Sequence, residues 1–473
     1  MKYTPTIGLE IHAELKTQTK MFCDSKNDPD EKRPNINICP VCMGHPGTLP
    51  VINKEAVKHV LRIGVAVGGK LADYTQFNRK NYFYPDIPKG YQISQYEFPL
   101  VSGGILAGVE LERVHLEEDT GRSGHDAGDY SLVDFNRAGI PLMELVTKPV
   151  IASAEDASHF AKELQLLLRS LGVSDANMEK GEMRVEANIS VSANDQKGTK
   201  VEVKNLNSFK AVEKAIKFEI SRQAESLQSG KTIIQETRGW DENKGRTFSQ
   251  RVKESSHDYR YFPEPDLPYL RVSEIPEFDR DKLQKDLVEL PWEKRKRLQD
   301  SLSLHLDTIE MLINDQTLGM FFDKTALLLG NDKQGIQILA NYLTSDLVSL
   351  INTSGIREWY KNIDPNRFAE LITMIKNNLL SSRGAKDILA IMFAGDIRKP
   401  SEIAEKEKLF QQNNDNELQK IIRSVTLENE SVVQEYKNGK ESSLQFLIGQ
   451  VMKKSAGSAN PQMAASLLKK IIS

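Results

Sequence analysis

The segment Thr6-Ile7-Gly8-Leu9-Glu10-Ile11-His12-Ala13-Glu14-Leu15 alternates with a period of two. On an extended chain Ile7, Leu9 and Ile11 share one face, while Glu10, His12 and Glu14 share the other. Met183 to Val191 repeats the pattern, as does Lys200 to Lys204. These stretches read as strands with one apolar and one polar face, typical of antiparallel sheet.

Helical periodicity lies between them. Ala154 to Leu171 follows Ser153, has an acidic first turn and stops at Gly172; Ser208 to Gln228 is closed by Gly230. The mixture predicts an α+β class. After about residue 290 the texture changes. Leu290-Pro291-Trp292 reads as a linker running into a helix, and 3.6-residue periods dominate from there. The polar run Gln411-Gln412-Asn413-Asn414-Asp415-Asn416 marks a second boundary. The expected organisation is a sheet-containing domain over 1–290, a helical domain over 291–410 and a helical tail domain over 411–473, with breaks at Gly439, Gly457 and Pro461. A length of 473 residues is too great for one core and suits two or three domains.

No apolar run approaches the ~20 residues that span a bilayer. Met1-Lys2-Tyr3-Thr4-Pro5 lacks a signal peptide's apolar stretch, so a cytoplasmic location is expected. Three cysteines argue against a disulfide framework. With a net charge of −3, any RNA contact must come from a local patch. Residues 421–473 hold seven Lys/Arg against four Asp/Glu, a weak patch of that kind.

The polar faces carry the candidate chemistry. Glu10 and His12 are joined by a second acidic segment, His115-Leu116-Glu117-Glu118-Asp119, and by Glu144 inside the apolar run Pro141 to Val146. A carboxylate in such a run is costly unless it is paired or metal-bound. Glu10, His12, Glu118 and Glu144 together offer a ligand set for Mg2+ that leaves positions for phosphate oxygens; a solvated strand face is the plainer alternative. Asn78 to Gln95 interleaves basic, amide and aromatic residues, and its two prolines and a glycine predict a shaped loop suited to phosphate contacts and base stacking. Lys204 precedes a helix that Asn207 or Ser208 caps. Arg238, Arg246, Arg251 and Arg260 are bidentate donors suited to a transferring phosphoryl group, or else surface ion pairs.

Several chemistries are disfavoured. The chain has no Walker A loop, no G-x-G-x-x-G and no G-x-S-x-G. His12-Ala13-Glu14 with Cys39-Pro40-Val41-Cys42 imitates the zinc deaminase signature, but Ile38 stands where that signature needs proline, and the His-x-Glu lies on a strand pattern.

Taken in order, Gly8-Leu9-Glu10-Ile11-His12, Arg79 to Asp86, His115 to Asp119, Asp134 to Gly139, Lys204 to Ser208, Asp258 to Pro265, Leu447 to Lys453 and Ala459-Asn460-Pro461 resemble the B-subunits of the aspartyl/glutamyl-tRNA amidotransferases over essentially the whole chain. The resemblance implies a heterotrimer in which a glutaminase (amidase) and a small wrapping protein are the other two members. The B-subunit would use Mg2+ and ATP to phosphorylate the side-chain carboxylate of Glu or Asp misattached to tRNA(Gln) or tRNA(Asn). Ammonia channelled from the glutaminase would then displace phosphate. The resemblance also implies a cradle domain related to glutamine synthetase, with the helical and tail domains contacting tRNA. On this reading Glu10, His12, Glu118 and Glu144 hold the metal, with Glu117 a neighbour. Glu10, His12, Glu118, Arg79 and Lys80 serve the chemistry, and Tyr82, Lys204, Asn205, Arg251 and Arg260 contact ATP. The competing expectation is a non-catalytic tRNA-binding scaffold. Many relatives carry four cysteines as two pairs; here Cys23, Cys39 and Cys42 remain and Ser25 replaces one, so the structural Zn2+ of those relatives is not assumed, and a complete site here would need His45 or another donor as its fourth ligand.

Overall fold

The computed structural model describes residues 3–124, 128–194, 196–252, 259–411, 415–455, 459 and 461–472. It divides into two compact units, Met1–Pro291 and Trp292–Ser473. Among the described residues, no helix is long and apolar enough to cross a membrane.

The first unit is built on strands β1 (Thr4–Glu14), β2 (Lys70–Leu71), β3 (Asn78–Asn81), β4 (Tyr91–Ser94), β5 (Val101–Ser102), β6 (Ile105–Leu106), β7 (Val109–Glu118), β8 (Arg122–Gly124), β9 (Leu132–Asp134), β10 (Pro141–Thr147), β11 (Met183–Ser192), β12 (Val201–Leu206), β13 (Glu236–Asp241), β14 (Arg246–Val252) and β15 (Phe262–Pro263). The main sheet runs β14-β13-β12-β11-β1-β10-β7-β5-β2, with β6 beside β7. Its pairings are antiparallel except β12 with β13, which is parallel. The smaller sheets are β15-β3-β4 and β8-β9.

The period-two reading of β1 holds. Ile7, Leu9, Ile11 and Ala13 are buried on one face. Helices α1 (Lys54–Ala66), α2 (Ala154–Ser170) and α3 (Phe209–Gln228) pack on the sheet: α1 on β7, α2 on β1, and α3 on β11 and β12. Their apolar stripes, such as Phe160, Leu164 and Leu167 of α2 with Val212 and Ile216 of α3, complete the core. The caps are those the sequence suggests. Ser153 Oγ accepts from the Asp156 amide at 3.0 Å and starts α2. Ser208, rather than Asn207, caps α3, accepting from the Ala211 amide at 3.0 Å.

The stretch from Asn78 to Gln95 departs from the expected loop. Its ends pair as β3 and β4, with Asn81 opposite Tyr91, and only Tyr82 to Gly90 forms the turn between them. Gly90 adopts φ +77°, a left-handed conformation that a side chain disfavours. The two prolines fall within this turn, so they do not interrupt the strand pairing.

The second unit is helical from Pro291–Leu302 onward, as the change of period requires. Its last four helices, Asp415–Glu428, Glu430–Lys437, Ser442–Lys454 and Pro461–Ile472, enclose an apolar cluster that includes Leu418, Ile422, Val425, Leu447, Val451, Leu468 and Ile472. Gly439 follows the second of these helices at φ +95°, and Pro461 opens the fourth. Gln412 to Asn414 of the polar boundary, and Gly457, lie outside the described residues.

Replacing Ser208 with alanine is expected to lower stability by about 1 kcal/mol through loss of the cap, while Asn207→Ala changes it little. Urea unfolding of both variants checks the assignment.

Candidate active site

Antiparallel pairing puts directly opposed residues on the same face of a sheet. His12 lies opposite Glu144 on β10 and Arg184 on β11. Glu10 lies opposite Glu186, and Glu144 lies opposite His115 on β7. Four adjacent strands therefore deliver their polar side chains to one place. That face floors a cleft of about 790 Å3 whose walls include Lys80, Tyr82, Arg113, Glu117, Lys204, Tyr259 and Tyr261.

Distances within the floor are short. His12 Nε2 stands 3.5 Å from Glu144, 3.8 Å from Glu117 and 3.9 Å from Glu10. His115 Nε2 is 3.3 Å from Glu144, and Arg113 is 3.5 Å from the other oxygen of that carboxylate. Lys80 Nζ reaches to 3.9 Å from Glu117. Lys204 Nζ is 2.8 Å from Glu186 and 3.8 Å from Glu202. Three sets of donor atoms, Glu10/His12/Glu144, His115/Glu117/Glu144 and Glu10/Glu186/Glu202, each lie within 4.8 Å of one another. Arg184 and Asp119 also line the cleft, and Arg184 holds Asp119 at 2.9 Å.

Charge is crowded here, and the titration behaviour reflects it. Burial raises the Glu10 carboxyl to about 7, helped by the negative charges of Glu144 and Glu186. For His12 burial opposes protonation, but the hydrogen bond and charge of Glu144, with Glu117 and Glu186, prevail and lift it to about 9. Glu144 is buried too, yet the two histidines hold it well below the usual carboxylate range. Burial, with the charge of Asp119, raises Glu14 to about 8. Neither Glu14 oxygen has a hydrogen-bond partner among the described residues, and neither does Glu117 Oε2. Of these, Glu117 packs beside the His12 imidazole, and with His115 and Glu144 it belongs to a hard donor set that suits a small divalent cation such as Mg2+.

Not every sequence candidate joins this set. Glu10, His12, Glu144, Lys80, Tyr82 and Lys204 line the cleft. Glu118 does not. Side chains alternate along β7, so Arg113, His115 and Glu117 reach the cleft while Glu118 turns to the opposite face. There Glu118 pairs with Lys89 and accepts from the Ile93 amide at 2.8 Å, beside a separate cavity of about 200 Å3. Glu117 occupies the position that the acidic segment suggested for Glu118. Arg79 is engaged elsewhere: its guanidinium makes a two-point bond to Glu264 at 2.7 and 2.8 Å and stacks on Tyr91, clamping β3 to the chain after β15. Asn205 donates to the Trp240 carbonyl at 3.1 Å, away from the cleft. Arg260 lines a smaller pocket with Tyr261 and Phe262. Arg251 lies on β14 opposite Thr237. Arg113, Arg184, Glu186, Glu202, Tyr259 and Tyr261 went unselected in the sequence, although parity along β7 and β11 singles out several of them.

Comparison with known proteins agrees with this architecture. The family model for the GatB/GatE catalytic domain matches residues 5–275, and the GatB domain model matches residues 321–472. The class is thus that of GatB-type proteins. Curated relatives named as the B-subunit of aspartyl/glutamyl-tRNA(Asn/Gln) amidotransferase align end to end. The Thermoanaerobacter pseudethanolicus protein is 42% identical over all of both chains. That of Thermodesulfovibrio yellowstonii is also 42% identical over all of both. That of Crocosphaera subtropica is 40% identical over all of this chain and 98% of its own. The chain belongs to the family of amidotransferase B-subunits.

His12 contributes stability in full below about pH 6.5, and that contribution is lost as pH rises through about 9, because its folded-state value is raised. In Glu144→Gln the main partner loses its charge while burial remains, so the His12 titration is expected to fall by about two units or more. NMR of imidazole-labelled protein checks this; a titration near 9 in the variant would remove Glu144 as the cause.

Proposed function

We propose that the acidic cleft carries out ATP-dependent amidation of glutamate or aspartate misattached to tRNA, using Glu10, His12, His115, Glu117 and Glu144 around a divalent cation and Lys80, Lys204 and Arg113 as phosphate counter-charges. Family membership supports the reaction, and the convergence of carboxylates, imidazoles and basic side chains in one cleft supports the placing.

The chemistry explains why such a cleft is needed. A free carboxylate has no good leaving group. Transfer of the γ-phosphoryl group of ATP to its oxygen gives an acyl phosphate and ADP. Ammonia then adds at the carbonyl carbon, the C–O bond to phosphate breaks, and the amide and inorganic phosphate remain. In the first step two anions, carboxylate and triphosphate, must meet. Mg2+ bound by Glu10, Glu117 and Glu144 with His12 or His115 would supply charge neutralisation and orient phosphate oxygens. Lys80 is held between Glu117 and the rings of Tyr82 and Tyr259, which fixes its ammonium at the cleft wall. Burial opposes its charge, but Glu117 and the surrounding tyrosines hold its titration well above the usual lysine value, so it stays a cation. Lys204, pinned between Glu186 and Glu202, does the same on the other side. Ammonia needs no nucleophile from this chain, because it comes from the glutaminase member of the trimer, which a third, small protein completes. A purely scaffolding role is disfavoured, since a cleft floored by carboxylates repels RNA phosphate unless a cation intervenes. The reaction belongs in the cytoplasm, where aminoacyl-tRNA is made and used.

The last four helices enclose their own apolar cluster, so they can be removed as a unit. Their local positive balance suits tRNA backbone. Deleting residues 411–473 is expected to weaken tRNA binding by about tenfold or more, measured by filter binding, with ATP affinity changed less than about twofold. Glu117→Gln is expected to lower amidation of misacylated tRNA by the purified trimer roughly 100-fold or more, and Glu118→Gln by far less. Equal loss in the two variants would remove Glu117 from the cation site. An assay with each misacylated tRNA in turn identifies the substrate.

A further inference from the structure

The three cysteines lie outside the cleft. Cys23, Cys39 and Cys42 bring their sulfurs within 4.8 Å of one another. That spacing raises the structural zinc carried by four-cysteine relatives, but the surrounding groups do not complete such a site. A closed zinc site takes four donors. Here Ser25 Oγ stands 3.8 Å from Cys42 Sγ, and His45, exposed, lines the same cavity as Cys23 and Cys42 without joining the trio. Lys20, fully buried, also directs its ammonium at Cys42 Sγ at 3.8 Å and donates to the Phe135 carbonyl at 3.2 Å. An ammonium has no lone pair to give a metal and repels a cation placed among the sulfurs. It stands where it neutralises thiolate charge instead.

We propose that Cys42, charge-paired with Lys20, and Cys23 form a peroxide-oxidisable dithiol, with Cys42 the attacking sulfur and Cys23 the resolving one. The Cys42 thiolate attacks one oxygen of hydrogen peroxide. The O–O bond breaks, hydroxide leaves and is protonated to water, and Cys42 becomes a sulfenic acid. The Cys23 sulfur then attacks that of Cys42: an S–S bond forms, the S–O bond breaks, and the oxygen departs as a second water with the proton of Cys23. Two thiols lose two electrons, and one peroxide becomes two waters.

Three observations favour this division of labour. Cys42 is the sulfur that the Lys20 ammonium faces, at 3.8 Å, and it also accepts from the Cys39 amide at 3.1 Å with the Cys39 carbonyl 3.4 Å away. A hydrogen bond from Cys23 and the Lys20 charge, acting against burial, lower the Cys42 thiol to about 4, while the same hydrogen bond and burial raise Cys23. The cavity of about 200 Å3 lined by Cys23, Cys42, Lys89 and Glu118 has room for a peroxide molecule, since a water takes about 30 Å3. The pair also sits one layer behind the cleft: a Cβ on Gly139 would meet the Cys42 Cβ at 3.4 Å, and the Gly139 amide donates to the Asp119 carbonyl at 2.9 Å.

The test uses the full-length chain in its trimer, purified under reducing conditions. Metal analysis is expected to find less than about 0.1 zinc per chain. One equivalent of hydrogen peroxide is expected to yield a Cys23–Cys42 disulfide by peptide mass spectrometry, with Cys39 still alkylatable. In Cys23→Ser, dimedone is expected to label Cys42. The wild-type rate of Cys42 alkylation by iodoacetamide is expected to vary less than about twofold from pH ~6 to ~8, and in Lys20→Met to regain a steep rise with pH. Stoichiometric zinc with thiols shielded until chelation would overturn the proposal. So would a wild-type alkylation rate rising about tenfold per pH unit, or peroxide joining Cys39 to Cys42 instead. The wild-type measurements decide the matter even if Lys20→Met fails to fold.

Discussion

The pairing of β11, β1, β10 and β7 in antiparallel register is the constraint on which the rest depends. Because opposed residues share a face, the register that sets Ile11 opposite Leu145 and Val185 in the core also sets His12 opposite Glu144 and Arg184 in the cleft. A slip of one residue would carry charges into the core and apolar side chains to the cleft. Core burial and site assembly are one event here. The helices on the apolar face stabilise the register, and through it they hold the carboxylates together.

That coupling explains how so much like charge is tolerated. Glu10, Glu117, Glu144, Glu186 and Glu202 are brought into one cleft by strands held by a core they do not contribute to. The protein offsets part of the repulsion with His12, His115, Lys80, Arg113 and Lys204, and part by raising the titration of Glu10. The remainder is a standing attraction for a cation, the property a phosphoryl-transfer site needs. The opposite solution appears behind the same strands. Around the cysteines a counter-charge, Lys20, is built into the fold, its ammonium 3.8 Å from Cys42 Sγ.

Much of the architecture was legible along the chain. Period-two stretches located β1, β11 and β12, the Ser-led acidic turn located α2, and the change of period near residue 290 anticipated the helical unit. The stretch from Asn78 to Gln95 was harder, because Pro85 and Pro88 suggest irregular chain; they sit within a turn, and the residues flanking it pair as β3 and β4. Composition identifies residues able to make a turn, and strand pairing across that turn depends on what the neighbouring strand offers.

For the site, the sequence by itself determined the inventory: alternation directs Glu10 and His12 to one face once Ile7, Leu9 and Ile11 are buried, and Glu144 stands out as a carboxylate inside an apolar run. It also determined membership of the amidotransferase B-subunit family, through motifs spread over the whole length. Only the tertiary structure decided between Glu117 and Glu118. Adjacent carboxylates on one strand point to opposite faces, and which face is the cleft depends on the partner strand. Likewise only the fold engaged Arg79 with Glu264, far along the chain. A residue's type limits the bonds it can make, and the three-dimensional register selects which one forms.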